Sequence, residues 1–186
     1  MKHLHLHIGT VNIRMPSKPL PLLAELSSIE FPSGAPAAKG GHQFTKVLAD
    51  GTELPAGSDR TDHVAVIDHS TGLMWSVESL GSTDDADDGI SQEACEKRCS
   101  ELRLLGHADW RLPTRFELAS LVDDTRHEPA IDTALFPRVK SRWHWTSTPC
   151  AWSSASAWFV LFSYGYVSYY HRCSLGFALA VRRAGQ

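Results

Sequence analysis

No stretch of the 186 residues approaches the roughly 18 consecutive apolar positions of a membrane-spanning helix, so helical insertion into a bilayer is not expected. The opening MKHLHLHIGTVNIR lacks the continuous apolar core of a secretory signal peptide. That places the expected location in the cytoplasm or on a virion. Cysteine is scarce: Cys95, Cys99, Cys150 and Cys173 form no CxxC pair, which argues against a disulfide scaffold and for free, mostly buried thiols. A formal charge of -3 supplies no general attraction to polyanions, so nucleic acid is not an expected partner. No GxSxG, HExxH, Walker A or glycine-rich dinucleotide fingerprint occurs, and Ser147, Ser153, Ser154 and Ser156 are too loosely set to nominate a nucleophile. An enzyme is the weaker class. There is also no internal repeat of fixed period.

A chain that is 42% hydrophobic is long enough for one domain with a real core. His3, His5 and His7 alternate with Leu4, Leu6 and Ile8, the period of a strand with one apolar face. Pro16, Pro19, Pro21, Pro32 and Pro36 then punctuate an extended arm up to Gly40 and Gly41. We place the boundary there: 1–41 is a strand and proline-rich arm through which the chain would homo-oligomerise, and 42–186 is the main domain. Its entry reads as a β-hairpin, with strands at His63–Asp68 and Leu73–Trp75 around a His69–Gly72 turn. Ser91 caps a helix predicted to run to Leu105 and stop at Gly106, with Cys95, Cys99 and Leu102 as its inner stripe. Thr114 and Glu117 form a capping box for a second helix whose apolar face is Leu118, Leu121 and Val122. From Trp143 onward short aromatic and β-branched runs predict strands, with a hairpin turn at Gly165. The fold class is α+β, with two helices and a C-terminal antiparallel sheet.

Few groupings suggest chemistry. His3, His5 and His7 would share one strand face, yet no nearby carboxylate or cysteine completes a metal site. Asp84, Asp85, Asp87 and Asp88 before Gly89 suggest a calcium loop, but Ala86 stands at the third EF-hand position and no glutamate at the twelfth. A solvated acidic loop is the competing reading. Calcium stays the alternative to having no cofactor. Cys95 and Cys99, four apart on a helix, read as core packing rather than a redox pair.

The order Thr71-Gly-Leu-Met-Trp75, Gly106-His-Ala-Asp-Trp-Arg-Leu-Pro-Thr114, Glu117-Leu118, Leu121-Val122-Asp123, Pro129-Ala-Ile-Asp132, Phe136-Pro137, Trp145-Thr-Ser-Thr148, Ala157-Trp158 and Val181-Arg182 resembles the Lcl C-terminal domain family over roughly residues 60–183. The resemblance implies a C-type-lectin-like fold of the subclass shared with formylglycine-generating enzymes, in which members act as binding or adhesion modules. The enzyme's catalytic cysteine pair has no clear counterpart here. The signature residues themselves suit scaffold roles. Trp75, Trp110, Trp145 and Trp158 each bring a large apolar body with one N–H to place. Asp109 and Arg111 are expected to pair with each other, and Arg182 with Asp123 or Asp132.

In lectin-like folds of this kind the last strands and their loops build the ligand surface, and some members are variable proteins of diversity-generating retroelements. Those elements rewrite adenines, yielding almost any residue except Trp, Met, Lys, Gln and Glu. None of the five occurs from Phe159 to Gly185, although strand composition disfavours Lys and Glu on its own. The predicted ligand-binding residues are Trp152, Ser154, Ser156, Tyr164, Tyr166, Ser168, Tyr169, Tyr170, His171, Cys173, Ser174, Leu175 and Phe177, a mixture of rigid amphipathic rings and adaptable hydroxyls typical of paratopes. Tyr169 to Arg172 breaks the apolar–polar alternation and predicts a loop; a plain strand would instead turn Val167 and Tyr169 inward. The expected function is ligand display: a retroelement variable protein or phage receptor-binding protein that recognises a protein or cell-surface ligand. The alternatives are an adhesin domain binding carbohydrate or glycosaminoglycan through Arg138, Lys140, Arg142, Arg172, Arg182 and Arg183, and a formylglycine-generating-like oxidase using Cys95 or Cys99.

Overall fold

The computed structural model describes residues 43–185. The N-terminal strand, its three histidines and the proline-rich arm with its boundary at Gly41 lie outside the described residues. In chain order the elements are β1 (Phe44–Val47), β2 (Glu53–Pro55), β3 (Ala65–Asp68), β4 (Leu73–Ser76), α1 (Gln92–Glu101), α2 (Arg115–Ala119), β5 (Trp143–Cys150), β6 (Ser153–Leu161), β7 (Tyr166–His171) and β8 (Val181–Arg183). They form a mixed α+β domain with two antiparallel sheets, one ordered β2-β1-β3-β4-β8 and the other β5-β6-β7. Among the described residues no helix is long and apolar enough to cross a membrane.

The expected β3–β4 hairpin forms because Asp68 organises its own turn: its carboxylate accepts from the Ser70 N–H at 2.9 Å and from the Thr71 hydroxyl at 2.8 Å. Every residue of β3 and β4 is buried, as fits strands covered on both faces. Ser91 caps α1, its hydroxyl accepting from the Ala94 N–H. The helix ends earlier than predicted. Leu102 is already extended, and its N–H closes on the Cys99 carbonyl at 3.2 Å. Leu105 (φ 54°) and Gly106 (φ 76°) belong instead to a separate turn bridged between Leu104 and His107. The Trp110 indole N–H donates to the Leu104 carbonyl at 3.3 Å, so tertiary contact decides where that chain turns.

The core has two lobes. Trp75, Val77, Leu118, Phe136, Phe162 and Leu179 are among the residues of one; Cys95, Cys99, Trp110, Trp145, Phe159 and Ala180 are among those of the other. β6 lies between them, because alternation sends Val160 into the first lobe and Phe159 into the second. Of the tryptophan N–H groups expected to need partners, those of Trp75 and Trp145 find none among the described residues. Trp158 is only half-buried.

The ion pairs differ from expectation. Arg111 exchanges backbone hydrogen bonds with Val181 at 2.9 Å, which lays β8 alongside and brings Arg182 to Asp109 at 2.7 Å. That guanidinium holds the Asp109 carboxyl below the usual range. Arg111 is released to Glu117, at 2.7 Å, while Asp123 and Asp132 both turn to Arg126, at 2.8 and 3.6 Å.

Candidate ligand-binding surface

Antiparallel register decides which side chains of β5, β6 and β7 share a face. Trp158 stands opposite Tyr169 and Val160 opposite Val167; between them Phe159 stands opposite Ser168, with Ala157 opposite Tyr170 and Leu161 opposite Tyr166. Gly165, at φ 77°, supplies the left-handed residue that the β6–β7 turn requires, as predicted.

On the first face Trp152, Trp158 and Tyr169 form an edge-to-face triad. Ring centroids lie 5.7 Å apart for Trp152–Trp158, 5.0 Å for Trp152–Tyr169 and 5.7 Å for Trp158–Tyr169. The Arg115 guanidinium sits 4.4 Å from the Trp158 ring centre and 4.7 Å from that of Phe116. α2 begins at Arg115, whose N–H donates to the Thr148 hydroxyl at 2.9 Å and so ties the helix to β5. Trp152 and Tyr169 are 62% and 46% exposed, which leaves the triad open to solvent.

On the second face the Trp143 ring lies 5.0 Å from Phe159 and 5.4 Å from Tyr170, with Tyr166 6.5 Å from Phe159. The Trp143 indole N–H donates to the Leu175 carbonyl at 2.5 Å and clamps the turn that follows β7. Gly176 lets that segment cross the tryptophans, since a Cβ there would lie 2.9 Å from Trp145 Nε1. Within the turn Cys173 donates to His171 Nδ1 from both its thiol, at 2.9 Å, and its N–H, at 3.4 Å.

The predicted residues therefore divide. Trp152, Ser154, Tyr164, Tyr166, Tyr169, Tyr170, His171, Cys173 and Leu175 are exposed, and Ser156, Ser168 and Ser174 half-buried. Phe177 is a correction. It is 4% exposed, because its N–H donates to Trp143 and its carbonyl accepts from Trp145, so the chain has re-entered the core beside β5. The loop predicted at Tyr169 to Arg172 is also corrected: β7 stays extended through His171. Nor does β7 have a buried inner face, since Val167, at 37%, is exposed and Ser168, on the other face, is only half-buried. Tyr169 and Tyr170 look out from opposite sides of the sheet, so the list covers two surfaces rather than one. Arg115, Phe116 and Trp143 were not predicted. Arg115 and Phe116 directly follow the Thr114 cap, a position that exposes side chains of the first turn, but only the tertiary fold brings the Arg115 guanidinium to Trp158.

The other candidate groups have structural partners. Lys140 pairs with Asp87 of the acidic loop, whose carboxyl is lowered by that contact. Arg138 donates to the His63 carbonyl at 2.9 Å, and Arg172 to the Gln92 side chain at 2.9 Å. No group of three or more His, Cys, Asp or Glu able to hold a metal occurs among the described residues. Cys95, Cys99 and Cys150 are buried free thiols and Cys173 an exposed one. Burial pushes the Cys95 thiol far up and the Cys99 thiol to about 12, which keeps both protonated at neutral pH.

No curated protein matches this sequence. The family model of the Lcl C-terminal domain matches residues 64–182, from the strand that precedes the Asp68 turn to the arginine that pairs with Asp109. That span is well over half of the chain, includes both helices, the whole β5-β6-β7 sheet and strands β3 and β4 of the other, and contains every residue of the two aromatic faces: the chain belongs to the Lcl C-terminal domain family.

Proposed function

We propose that this protein is a non-enzymatic ligand-display domain of C-type-lectin-like fold, of the formylglycine-generating-enzyme subclass, and that it recognises a protein or cell-surface ligand through the surface carried by β6, β7 and their flanking turns. One observation carries the reading: among the described residues, every exposed large hydrophobic except Phe116 lies between Trp152 and Leu175. Apolar rings concentrated in one part of a folded surface mark recognition sites, and tyrosine and tryptophan bind at low entropic cost because few rotors must be frozen. The protonated, buried state of Cys95 and Cys99 supports a binding domain over a formylglycine-generating-like oxidase, which would need an accessible thiolate. The structural partners of Arg138, Lys140, Arg172 and Arg182 weigh against a basic glycosaminoglycan patch. Within display proteins, we assign the chain to the variable proteins of diversity-generating retroelements, or to phage receptor-binding proteins, on the absence of Trp, Met, Lys, Gln and Glu from Phe159 to Gly185.

Deep sequencing of the coding region and its neighbouring DNA, in a population grown from one cell, tests the diversified form. Substitutions are expected at the codons of Tyr164, Tyr166, Ser168, Tyr169, Tyr170, His171, Cys173, Ser174 and Leu175, with a near-copy carrying AAC or AAT at those positions. An invariant tail without such a copy means a fixed ligand. The binding reading itself is tested by panning the protein on arrayed cell-surface glycans and membrane proteins. Trp152→Ala with Tyr169→Ala should weaken any specific capture by about tenfold or more; capture indifferent to these changes and to Tyr166→Ala with Tyr170→Ala would remove this surface from consideration.

A further inference from the structure

β7 ends its sheet, and among the described residues it pairs with β6 alone. In an antiparallel pair, alternate residues turn their N–H and C=O toward the partner and the others turn theirs away. The Arg172 N–H donates to the Ala155 carbonyl at 2.9 Å, in line with the Tyr170–Ala157 and Ser168–Phe159 pairs, so the even-numbered residues of β7 face β6. The backbone polar groups of Val167 and Tyr169, and the N–H of His171, therefore point outward. The His171 carbonyl already accepts from the Ser174 N–H at 2.9 Å.

Edge strands of soluble proteins are ordinarily blunted by lysine, proline, a bulge or an inward charge. β7, YVSYYH, has no lysine, proline or acidic residue, and its register with β6 runs unshifted along its whole length, whereas the β5–β6 pairing does shift. Both of its faces are wet. Such an edge is built to accept another strand.

We propose that β7 pairs antiparallel with β7 of a second copy of this chain, about a two-fold axis through Tyr169. The register and the charges argue for a second copy. With the axis at Tyr169, that residue stands opposite the partner's Tyr169, and Val167 opposite the partner's His171. Outward-facing groups then meet outward-facing groups, giving about four backbone hydrogen bonds, two from the Tyr169 pair and one from each Val167–His171 pair. On the other face Ser168 meets the partner's Tyr170, and Arg172, at the strand end, meets the partner's Tyr166. No like charges oppose each other. The contact is isologous, so it satisfies both edges at once and closes at two copies. The two three-stranded sheets become one continuous sheet that carries both copies' aromatic faces side by side, a bivalent surface.

Sedimentation equilibrium of the full-length, ligand-free protein tests this directly. The expected mass is twice the 20.5 kDa of one chain. Val167→Lys sets a cation opposite the partner's His171 and restores the missing edge protection; it should raise the dimer dissociation constant by about tenfold or more while near-ultraviolet circular dichroism stays native. Val167→Glu combined with His171→Lys places opposite charges across the same register and should bring the dimer back. A monomeric wild type would overturn the proposal and leave the edge to a strand from another protein or from residues 1–42. A dimer untouched by Val167→Lys would place the contact elsewhere, and failure of the double variant to re-dimerise would reject the Tyr169-centred register. Because the readout is mass without ligand, any of these outcomes leaves the ligand-binding reading to stand or fall on its own test.

Discussion

Phe177 and Tyr164 come from the same tyrosine-rich tail and have opposite tasks. Phe177 sits 5.9 Å from the His144 ring and beneath the Lys140 ammonium, and its backbone is bonded to β5 on both sides. Tyr164 stands at the tip of the β6–β7 turn, 66% exposed. Phe177→Ala should therefore lower stability by about 3 to 5 kcal/mol, as buried aromatic truncations do, whereas Tyr164→Ala should stay within about 0.5 kcal/mol of wild type. Urea unfolding midpoints distinguish the two. Equal effects would mean that the tail does not re-enter the core at Gly176. Sequence alone does not separate these residues, because both are aromatic and both have a serine and a glycine within three positions. The difference arises from which of them meets the Trp143 and Trp145 backbone, a contact made across more than thirty positions of chain.

The elements show where local chemistry is sufficient and where it is not. The α2 cap was legible because all of its atoms lie within four residues: the Thr114 hydroxyl accepts from the Glu117 N–H at 3.3 Å, and the Glu117 carboxylate accepts from the Thr114 N–H at 2.7 Å. The hairpin around Asp68 and the turn at Gly165 were legible for the same reason. The end of α1, the partner of Arg182 and the two-sided exposure of β7 were not, since each is fixed by a segment distant in sequence. Arg111 makes the cap stronger than its motif requires. Its bidentate contact, followed by the Thr114 hydrogen bonds, draws the Glu117 carboxyl down to about 2. A depressed carboxylate contributes stability above its unfolded value of 4.5, and that contribution is lost as pH falls toward 2. Thr114→Ala should cost about 1 kcal/mol at neutral pH. Glu117→Gln should flatten the stability curve between pH 4.5 and 2, and a carboxyl titration of Glu117 by NMR with a midpoint near 4 would refute the arrangement.

At the scale of the whole domain, one fully buried imidazole joins parts of the chain that no element connects. The Lys140 N–H donates to Ser79 Oγ at 2.8 Å, the Ser79 hydroxyl donates to His144 Nε2 at 2.7 Å, and His144 Nδ1–H donates to the Arg142 carbonyl at 3.0 Å. This chain links the segment after β4, the segment before β5 and β5 itself, while Phe162 and Phe177 flank the ring. Each polar atom is satisfied only when the imidazole is neutral, because a protonated Nε2 would have no acceptor role to offer the serine hydroxyl. Burial lowers the His144 pKa to about 4, against 6.5 for an ordinary histidine. Below pH 6.5 the unfolded chain takes up a proton that the folded one refuses, so stability falls as pH drops from 6.5 to 4. The total from this site is of the order of 3 kcal/mol. His63, also lowered by burial, acts in the same direction, so bulk unfolding curves alone do not isolate the effect. Ring carbon shifts from NMR do: the His144 ring should remain neutral at pH 5 while the fold is intact. If instead it titrates near 6.5 without loss of native structure, the imidazole is not sealed in the core, and the acid sensitivity of the domain must come from His63 and its carboxylates.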